Sequence, residues 1–472
     1  MSQTDAVRPS PSSVGGQPPT SDAVGTDAAG GGLRKIIGSK MLLLFVIGDI
    51  LGAGIYALTG KVAGKVGGAI WVPFLVAFGL AFLTAAAYVE LVNKYPRAAG
   101  AALYTQQAFR RPFFTFLVAF AVMASGITSA AAAARSFGGT YLEEFASAPT
   151  VIVAIGFLLL LALVNLRGIS ESVKVNAVLT VVELSGLLLI VGIGVYTIAA
   201  GKGEPGRALE FDTSQAAPLA VLAGAALAFY ALIGFEDSVN MVEEAQTPRS
   251  YTRALFGGLA IAGLIYMAVA FTASMVVPTE ELAGSTGPLL RVVETAGLDG
   301  DVIPKLFALV ALVAITNTAL INMLMASRLV YGMARQRILP PFLGVVQAGR
   351  RTPHFAIGVT TALGLLLAAT GDLSDLADTT VLLLLCVFLV VNVSVLVLRR
   401  EPAKPGAFRA PTVMPVLGAI VCVVLISPLS GRTADVYLRG LALLALGVVL
   451  WAVNYYAHGR HAEPLDAEHL TD

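Results

Sequence analysis

Between about residue 41 and residue 456 the sequence returns repeatedly to apolar runs of roughly 18 or more residues, each long enough to cross a hydrocarbon core of about 30 Å. Inside such a solvent every backbone N–H and C=O must be satisfied by the chain itself, and runs of this length meet that demand only as α-helices. The runs fall at about 41–58, 69–93, 112–137, 149–167, 174–200, 216–236, 252–277, 303–334, 354–371, 377–398, 412–430 and 437–456. They predict an all-α integral membrane chain of twelve transmembrane helices. Composition agrees: 57% of the residues are hydrophobic and 13% charged, against about 25% charged in a soluble domain. The net charge of +1, with the cations mostly in short loops, gives no reason to expect nucleic acid as a partner.

An even number of spans puts both tails on one side. With the tails inside, the inner segments hold roughly 22 of the basic residues and the outer ones about 9, which makes the tails cytoplasmic by the positive-inside rule. The contrast is local too: Arg350, Arg351, Arg399, Arg400, Lys404 and Arg409 sit in inner loops, while Asp372, Asp375 and Asp378 have no basic neighbour in their outer stretch. Residues 1–32, rich in Gly, Ser, Pro, Asp and Thr, are expected to be a disordered cytoplasmic tail. They lack the basic start and short apolar core of a secretory signal, so the first span is expected in the mature protein. Cys386 and Cys422 lie in apolar runs without metal or redox spacing and read as buried thiols. His354, His458, His461 and His469 show no metal-ligand spacing, so neither metal nor cofactor is expected.

Two runs depart from plain lipid-facing helix. The first reads FVIGDILGAGIYAL over 45–58 and the sixth AFYALIGFED over 228–237, each combining glycine with an acid. Glycine lowers helix stability by about 1 kcal/mol and permits unwinding. Unwound backbone within a bilayer must face protein or a wet cavity. Paired breaks thus suggest a cavity where helix N-termini attract anions and freed carbonyls attract cations, an arrangement suited to a zwitterion. The alternative for Gly52, Ala53 and Gly54 is a small-residue packing face, and for Glu236 and Asp237 a helix end at the interface. Asp49, inside the first run, fits that alternative poorly. Neither a nucleophile with its base nor a repeated filter or charged ring appears, so enzyme and channel are disfavoured.

Six motifs in order resemble the amino acid-polyamine-organocation permeases, and especially their cationic amino acid transporter-like bacterial branch. They are GAGIY at Gly52 to Tyr56, YVEL with PRAAGAALY from Tyr88 to Tyr104, NLRG at Asn165 to Gly168, FYALIGFED at Phe229 to Asp237, VEEAQTPR at Val242 to Arg249, and ASRLVYGMAR at Ala326 to Arg335. The resemblance covers roughly residues 33–456. It implies an inverted repeat of five plus five helices, 33–200 and 201–398, with discontinuous helices one and six. Two further helices over 399–456 and a cytoplasmic tail over 457–472 would follow. It further implies secondary transport of amino acids across the inner membrane. The substrate carboxylate would meet the amides of Ala53, Gly54 and Ile55. The ammonium would meet carbonyls of Ile50, Tyr230 and Ile233, with Ala231 beside them and Phe229 or Tyr230 as an aromatic gate.

One departure concerns coupling. Members of the branch usually carry a lysine in span five, and the alignment of VNAVLTVVELSGLLL places Glu183 there. A carboxylate deep in a span costs about 2.5 to 3.5 kcal/mol or more when charged, and it lowers that cost by protonating or pairing. Asp49, Glu183 and Glu236 therefore form a candidate proton-coupling set, and proton symport is expected. Sodium held by the same acids with Thr316, Asn317 or Thr318 is the weaker rival. A polyamine or organic cation carrier, or an exchanger, on the same fold is the alternative function. Glu243, Glu244, Arg249, Arg328, Arg335 and Arg337 are candidates for inner ion pairs, although simple topology accounts for the arginines. Asn165 and Arg167 are assigned no substrate role.

Overall fold

A computed structural model describes residues 38–97, 100–168, 173–212, 216–242, 245, 247–297, 300, 302–347, 352–401 and 407–458. The tail of residues 1–32, nearly all of the tail beyond 457, and Glu243, Glu244, Arg350, Arg351 and Lys404 lie outside the described residues. Among those described, helix is the only regular element, and a β-bridge joins Gly67 to Phe211.

Helix occupies every interval where the apolar runs predict it. The first run forms α1 (Ser39–Ile50) and α2 (Ala53–Val66), which together are long and apolar enough for one membrane span and are bent by 40° at the break. Then come α3 (Trp71–Lys94), α4 (Gly100–Phe109), α5 (Pro112–Phe137), α6 (Thr140–Glu143), α7 (Thr150–Leu166) and α8 (Val173–Ala199). The sixth run forms α9 (Ala217–Ala228), which runs on as a 3-10 helix over Phe229–Met241. There follow α10 (Pro248–Val276), α11 (Thr279–Gly284), α12 (Pro288–Thr295), α13 (Val302–Arg335), α14 (His354–Thr370), α15 (Leu373–Leu398), α16 (Val413–Ile426) and α17 (Ala434–His458). Eight unbroken helical stretches are long and apolar enough to cross a membrane; α7, α14 and α16 are apolar but shorter. The chain is a multi-pass membrane protein.

Local chemistry sets several starts. Thr247 accepts the Ser250 N–H at 3.1 Å while Ser250 Oγ accepts the Thr247 N–H at 3.2 Å, a reciprocal cap that opens α10. Asp372 caps α15 by accepting the Asp375 N–H at 2.8 Å. Prolines in the first turns of α5, α9 and α12 occupy positions whose N–H has no helical partner to lose.

Packing sorts the helices into two groups. α1, α2, α3, α9, the 3-10 helix and α10 pack on one another; α5, α7, α13 and α14 form a second group. α15 touches both, and α8 leans on α1, α10 and α13. The broken first run thus lies at the seam, where a cavity can open without exposing backbone to lipid.

The sixth run differs from the expected discontinuity. Its helix does not stop; it tightens from 3.6 to about three residues per turn over thirteen residues. Such a long 3-10 stretch is uncommon because its hydrogen bonds are poorer. Its benefit is alignment: side chains three apart stack in rows. Tyr230, Ile233 and Glu236 make one row, Ala231, Gly234 and Asp237 the next, and all six face the cavity. The third row, Phe229, Leu232, Phe235 and Ser238, is fully buried behind them.

Candidate functional site

The two glycine-bearing segments press against each other. A Cβ on Gly54 would lie 2.5 Å from the Ala231 Cα, and one on Gly234 would collide with the Asp49 carbonyl and sit 3.1 Å from the Ile50 Cα. Both glycines are therefore there for backbone-to-backbone approach. Gly52 has an ordinary φ of −60°, and its reason is also proximity, since a Cβ would lie 2.5 Å from the Thr318 hydroxyl.

At the break α1 closes with Leu51 N–H donating to the Ile47 carbonyl at 2.8 Å, and α2 begins at Ala53. The first amides of a helix have no intrahelical acceptor, and the aligned peptide dipoles make that end positive. The Ala53 N–H donates to Thr318 Oγ1 at 2.9 Å. On the α1 side the Ile50 carbonyl accepts from the Tyr266 hydroxyl at 2.6 Å.

These groups border a cavity with about 1190 Å³ of empty space, its open mouth included. It is walled by the break, the two rows of the 3-10 helix, and the faces of α5, α13 and α15 that carry Ser125, Ser129, Asn317, Asn322 and Thr380. Asp49, Glu236 and Asp237 line it; among the described residues no Lys, Arg or His does. Glu236 accepts from the Tyr88 hydroxyl at 3.3 Å. The Tyr230 hydroxyl pairs with Ser129 Oγ at 2.9 Å, which fixes the ring across the cavity towards α5.

The cavity runs towards α4, reaching Gly100, where a Cβ would meet nothing within 4 Å. The opposite end is covered. Lys61 Nζ donates to the Ala283 carbonyl at 3.3 Å, the Tyr141 hydroxyl to the Tyr56 carbonyl at 2.8 Å, and Thr140 and Thr286 pair through their hydroxyls at 2.7 Å. α11 thereby packs down on α2.

Of the residues expected at the site, Ile50, Ala53, Gly54, Tyr230, Ala231, Ile233, Asp49 and Glu236 line this one cavity. Phe229, Ile55 and Glu183 do not. Phe229 is in the back row of the 3-10 helix, edge-on to Phe388 at 5.9 Å, so of the two aromatic candidates Tyr230 alone reaches the cavity. Ile55 is completely buried in α2.

Glu183 lies behind the wall with no exposure, and neither carboxylate oxygen makes a hydrogen bond of good geometry among the described residues. Its backbone carbonyl accepts from the Tyr56 hydroxyl at 3.0 Å. Asn317, which lines the cavity, faces it and directs its amide to Asn176 Oδ1 at 3.4 Å.

Sequence reasoning missed Ser125, Ser129, Tyr88 and Tyr266. The available signal was weak: Ser125 and Ser129 are four apart, on one helical face of an otherwise apolar run. Asn165, given no substrate role, ties α7 to α13 through Ser327 Oγ at 3.3 Å. Of the inner arginines, Arg335 meets the Tyr331 hydroxyl at 3.2 Å. The described residues contain no group of His, Cys, Asp and Glu able to hold a metal, and both cysteines are free.

A family model described as amino acid permease matches residues 37–450. The chain is 24% identical to the branched-chain amino acid permease BcaP of Bacillus subtilis, over 91% of this chain and 94% of that one. It is also 24% identical to the methylthioribose transporter of the same organism, over 90% and 94%. It is 27% identical to the chloroplastic cationic amino acid transporter 9 of Arabidopsis thaliana, over 68% of this chain and 59% of that protein.

Proposed function

The chain belongs to the amino acid permease family of the amino acid-polyamine-organocation superfamily, and on that premise we propose that it is a proton-coupled amino acid symporter of the inner membrane. It is a transport protein and not an enzyme. In this proposal it works by alternating access and crosses the membrane twelve times with both termini in the cytoplasm. Residues 33–200 and 201–398 form the two inverted repeats, and 399–456 follow them.

The observation that carries the reading is the contact between the two glycine-bearing segments over a polar cavity. Gly54 meets Ala231, and Gly234 meets Asp49 and Ile50, so main-chain groups of both segments border one space. In the proposed binding mode the substrate carboxylate takes amides at the start of α2, among Ala53, Gly54 and Ile55, where the helix end is positive. The ammonium sits by the carbonyls of Ile50, Tyr230 and Ile233, near Asp49 and Glu236. Tyr230, held by Ser129, flanks the substrate. With the tails in the cytoplasm, the α4 end of the cavity faces inward and the α11 cover faces outward.

Coupling is assigned to Asp49, Glu183 and Glu236. A wholly buried carboxylate without a good donor is costly as an anion and much less so as an acid. Glu183 therefore suits a group that takes and releases a proton as Tyr56 and Asn317 shift around it. The sodium alternative draws less support from α13. Thr316 and Thr318 already donate to the carbonyls of Leu312 and Ala314, at 2.7 and 3.1 Å, although their oxygens keep acceptor capacity.

A second reading, an organic cation or polyamine carrier, is favoured by the three carboxylates lining the cavity. Competition distinguishes the two in proteoliposomes preloaded with the purified protein's best amino acid. The proposal expects uptake of labelled amino acid to be blocked by unlabelled amino acid and spared by putrescine. Block by putrescine, with no competition by amino acids, contradicts it.

A further inference from the structure

The Ala53 amide, one of the donors assigned above to a substrate carboxylate, is engaged by a side chain from the other helix group. Thr318 on α13 presents its hydroxyl oxygen to the Ala53 N–H at 2.9 Å while its own proton goes to the Ala314 carbonyl at 3.1 Å. The hydroxyl is thus oriented as an acceptor. Gly52 makes the approach possible, because any Cβ there would lie 2.5 Å from the same oxygen. Thr318 also lines the cavity, within reach of an incoming ligand.

We propose that Thr318 is a positioning residue that competes with the substrate carboxylate for the Ala53 amide and so couples substrate capture to release of α2 from α13. A single N–H serves one acceptor well at a time. A carboxylate is the stronger acceptor, its charge-assisted hydrogen bonds being roughly twice as strong as neutral ones. When the carboxylate takes the Ala53 N–H, the bond between the two helix groups at the break is lost, and α2 is freed from α13 at its first residue. A ligand shifts a conformational equilibrium only through differential affinity, and the exchange of acceptors supplies that difference here. A ligand without a carboxylate leaves the Thr318 bond in place. This inference rests on the carboxylate site of the proposed function.

The test uses the full-length protein in nanodiscs. The twenty standard amino acids are screened by thermal shift, and Kd is then measured for the strongest and for its carboxamide, in wild type, Thr318→Val, Thr318→Ala and Thr318→Ser. Removing the competing acceptor is expected to tighten acid binding by about threefold to tenfold, the worth of one net hydrogen bond, in both Thr318→Val and Thr318→Ala. Carboxamide binding is expected to stay within twofold of wild type, and Thr318→Ser to restore the wild-type ratio of acid to amide. A merely structural role would change both ligands together. Acid binding that is unchanged or weaker in the Val and Ala variants overturns the competition while leaving the carboxylate site standing. If no amino acid shifts the wild type, or the carboxamide binds as well as the acid, the carboxylate site itself falls and the competition with it.

Discussion

A carboxyl group held out of water and away from any good donor has few roles that require it. Glu183 is in that position, fully buried facing Asn317, with Tyr56 bonded to its own carbonyl. Replacement by glutamine keeps the shape and removes the titration. Glu183→Gln is expected to retain amino acid exchange across proteoliposome membranes and to lose acceleration by an imposed proton gradient; preserved acceleration would acquit this residue. The glycines make a different demand. Gly234→Ala forces a methyl against the backbone of Asp49 and Ile50, and overpacking of this kind costs about 1–3 kcal/mol. It should lower the melting temperature and abolish uptake. Gly156→Ala, in α7 where a Cβ meets nothing within 4 Å, should keep uptake and leave the melting temperature unchanged or slightly higher, since alanine favours helix.

Among elements, the C-terminal ends of α3 and α15 are tied by a dense clasp. Arg399 donates from Nε and Nη2 to both oxygens of Glu90, at 2.8 and 2.7 Å, and reaches the Ala410 carbonyl and Thr412 Oγ1 at 2.6 and 2.9 Å. Breaking a largely buried pair by removing one partner costs about 3–5 kcal/mol. Arg399→Ala should therefore destabilise the protein strongly. Arg399→Lys should recover only part of the loss because an ammonium lacks the planar fork. Melting curves in detergent read both. Just beyond, Glu401 accepts from the Tyr95 hydroxyl at 2.7 Å and pairs with Lys94 at 3.1 Å. The Tyr95 bond first, and Lys94 second, hold its carboxyl below the usual range. A depressed carboxylate contributes stability above the ordinary value of about 4.3 and loses it as pH falls through the lower folded value. Protection of the amides in the last turn of α15, taken relative to their intrinsic exchange at each pH, should accordingly weaken only below about pH 4, and Glu401→Gln should remove that loss of protection. None of this clasp was legible beforehand, since Glu90 and Arg399 are 309 positions apart and in sequence both look like ordinary span-end charges. The helices themselves were legible because lipid imposes length and apolarity on every crossing segment. The glycines located both weak points but not their form. Apolar composition does not distinguish a three-residue from a 3.6-residue turn, so the 3-10 rows that put Tyr230 in the cavity and Phe229 behind it emerged only from the fold.

On the scale of the molecule, two packed groups of helices meet along a seam that holds the cavity, which is covered at the α11 end and extends to α4 at the other. In the proposed alternating-access cycle the first group moves against the second, and at the covered end the seam is spanned by the bond of Tyr141 on α6, which packs on α5 and α13, with the Tyr56 carbonyl on α2. Tyr141→Phe removes that bond and is expected to raise thiol labelling from the outer side at Ser125→Cys, a buried position lining the cavity, with no change in the total amount of folded protein. The family was readable from the motifs and the break in the first run from its glycines, whereas the driving ion was not, because the lysine expected in the fifth span is Glu183. The most direct measurement is therefore uptake of the best-binding amino acid into sodium-free proteoliposomes with an inward proton gradient. Accumulation above the external concentration, abolished by a protonophore, is the result expected; accumulation that appears only when an inward sodium gradient replaces the proton gradient would contradict it.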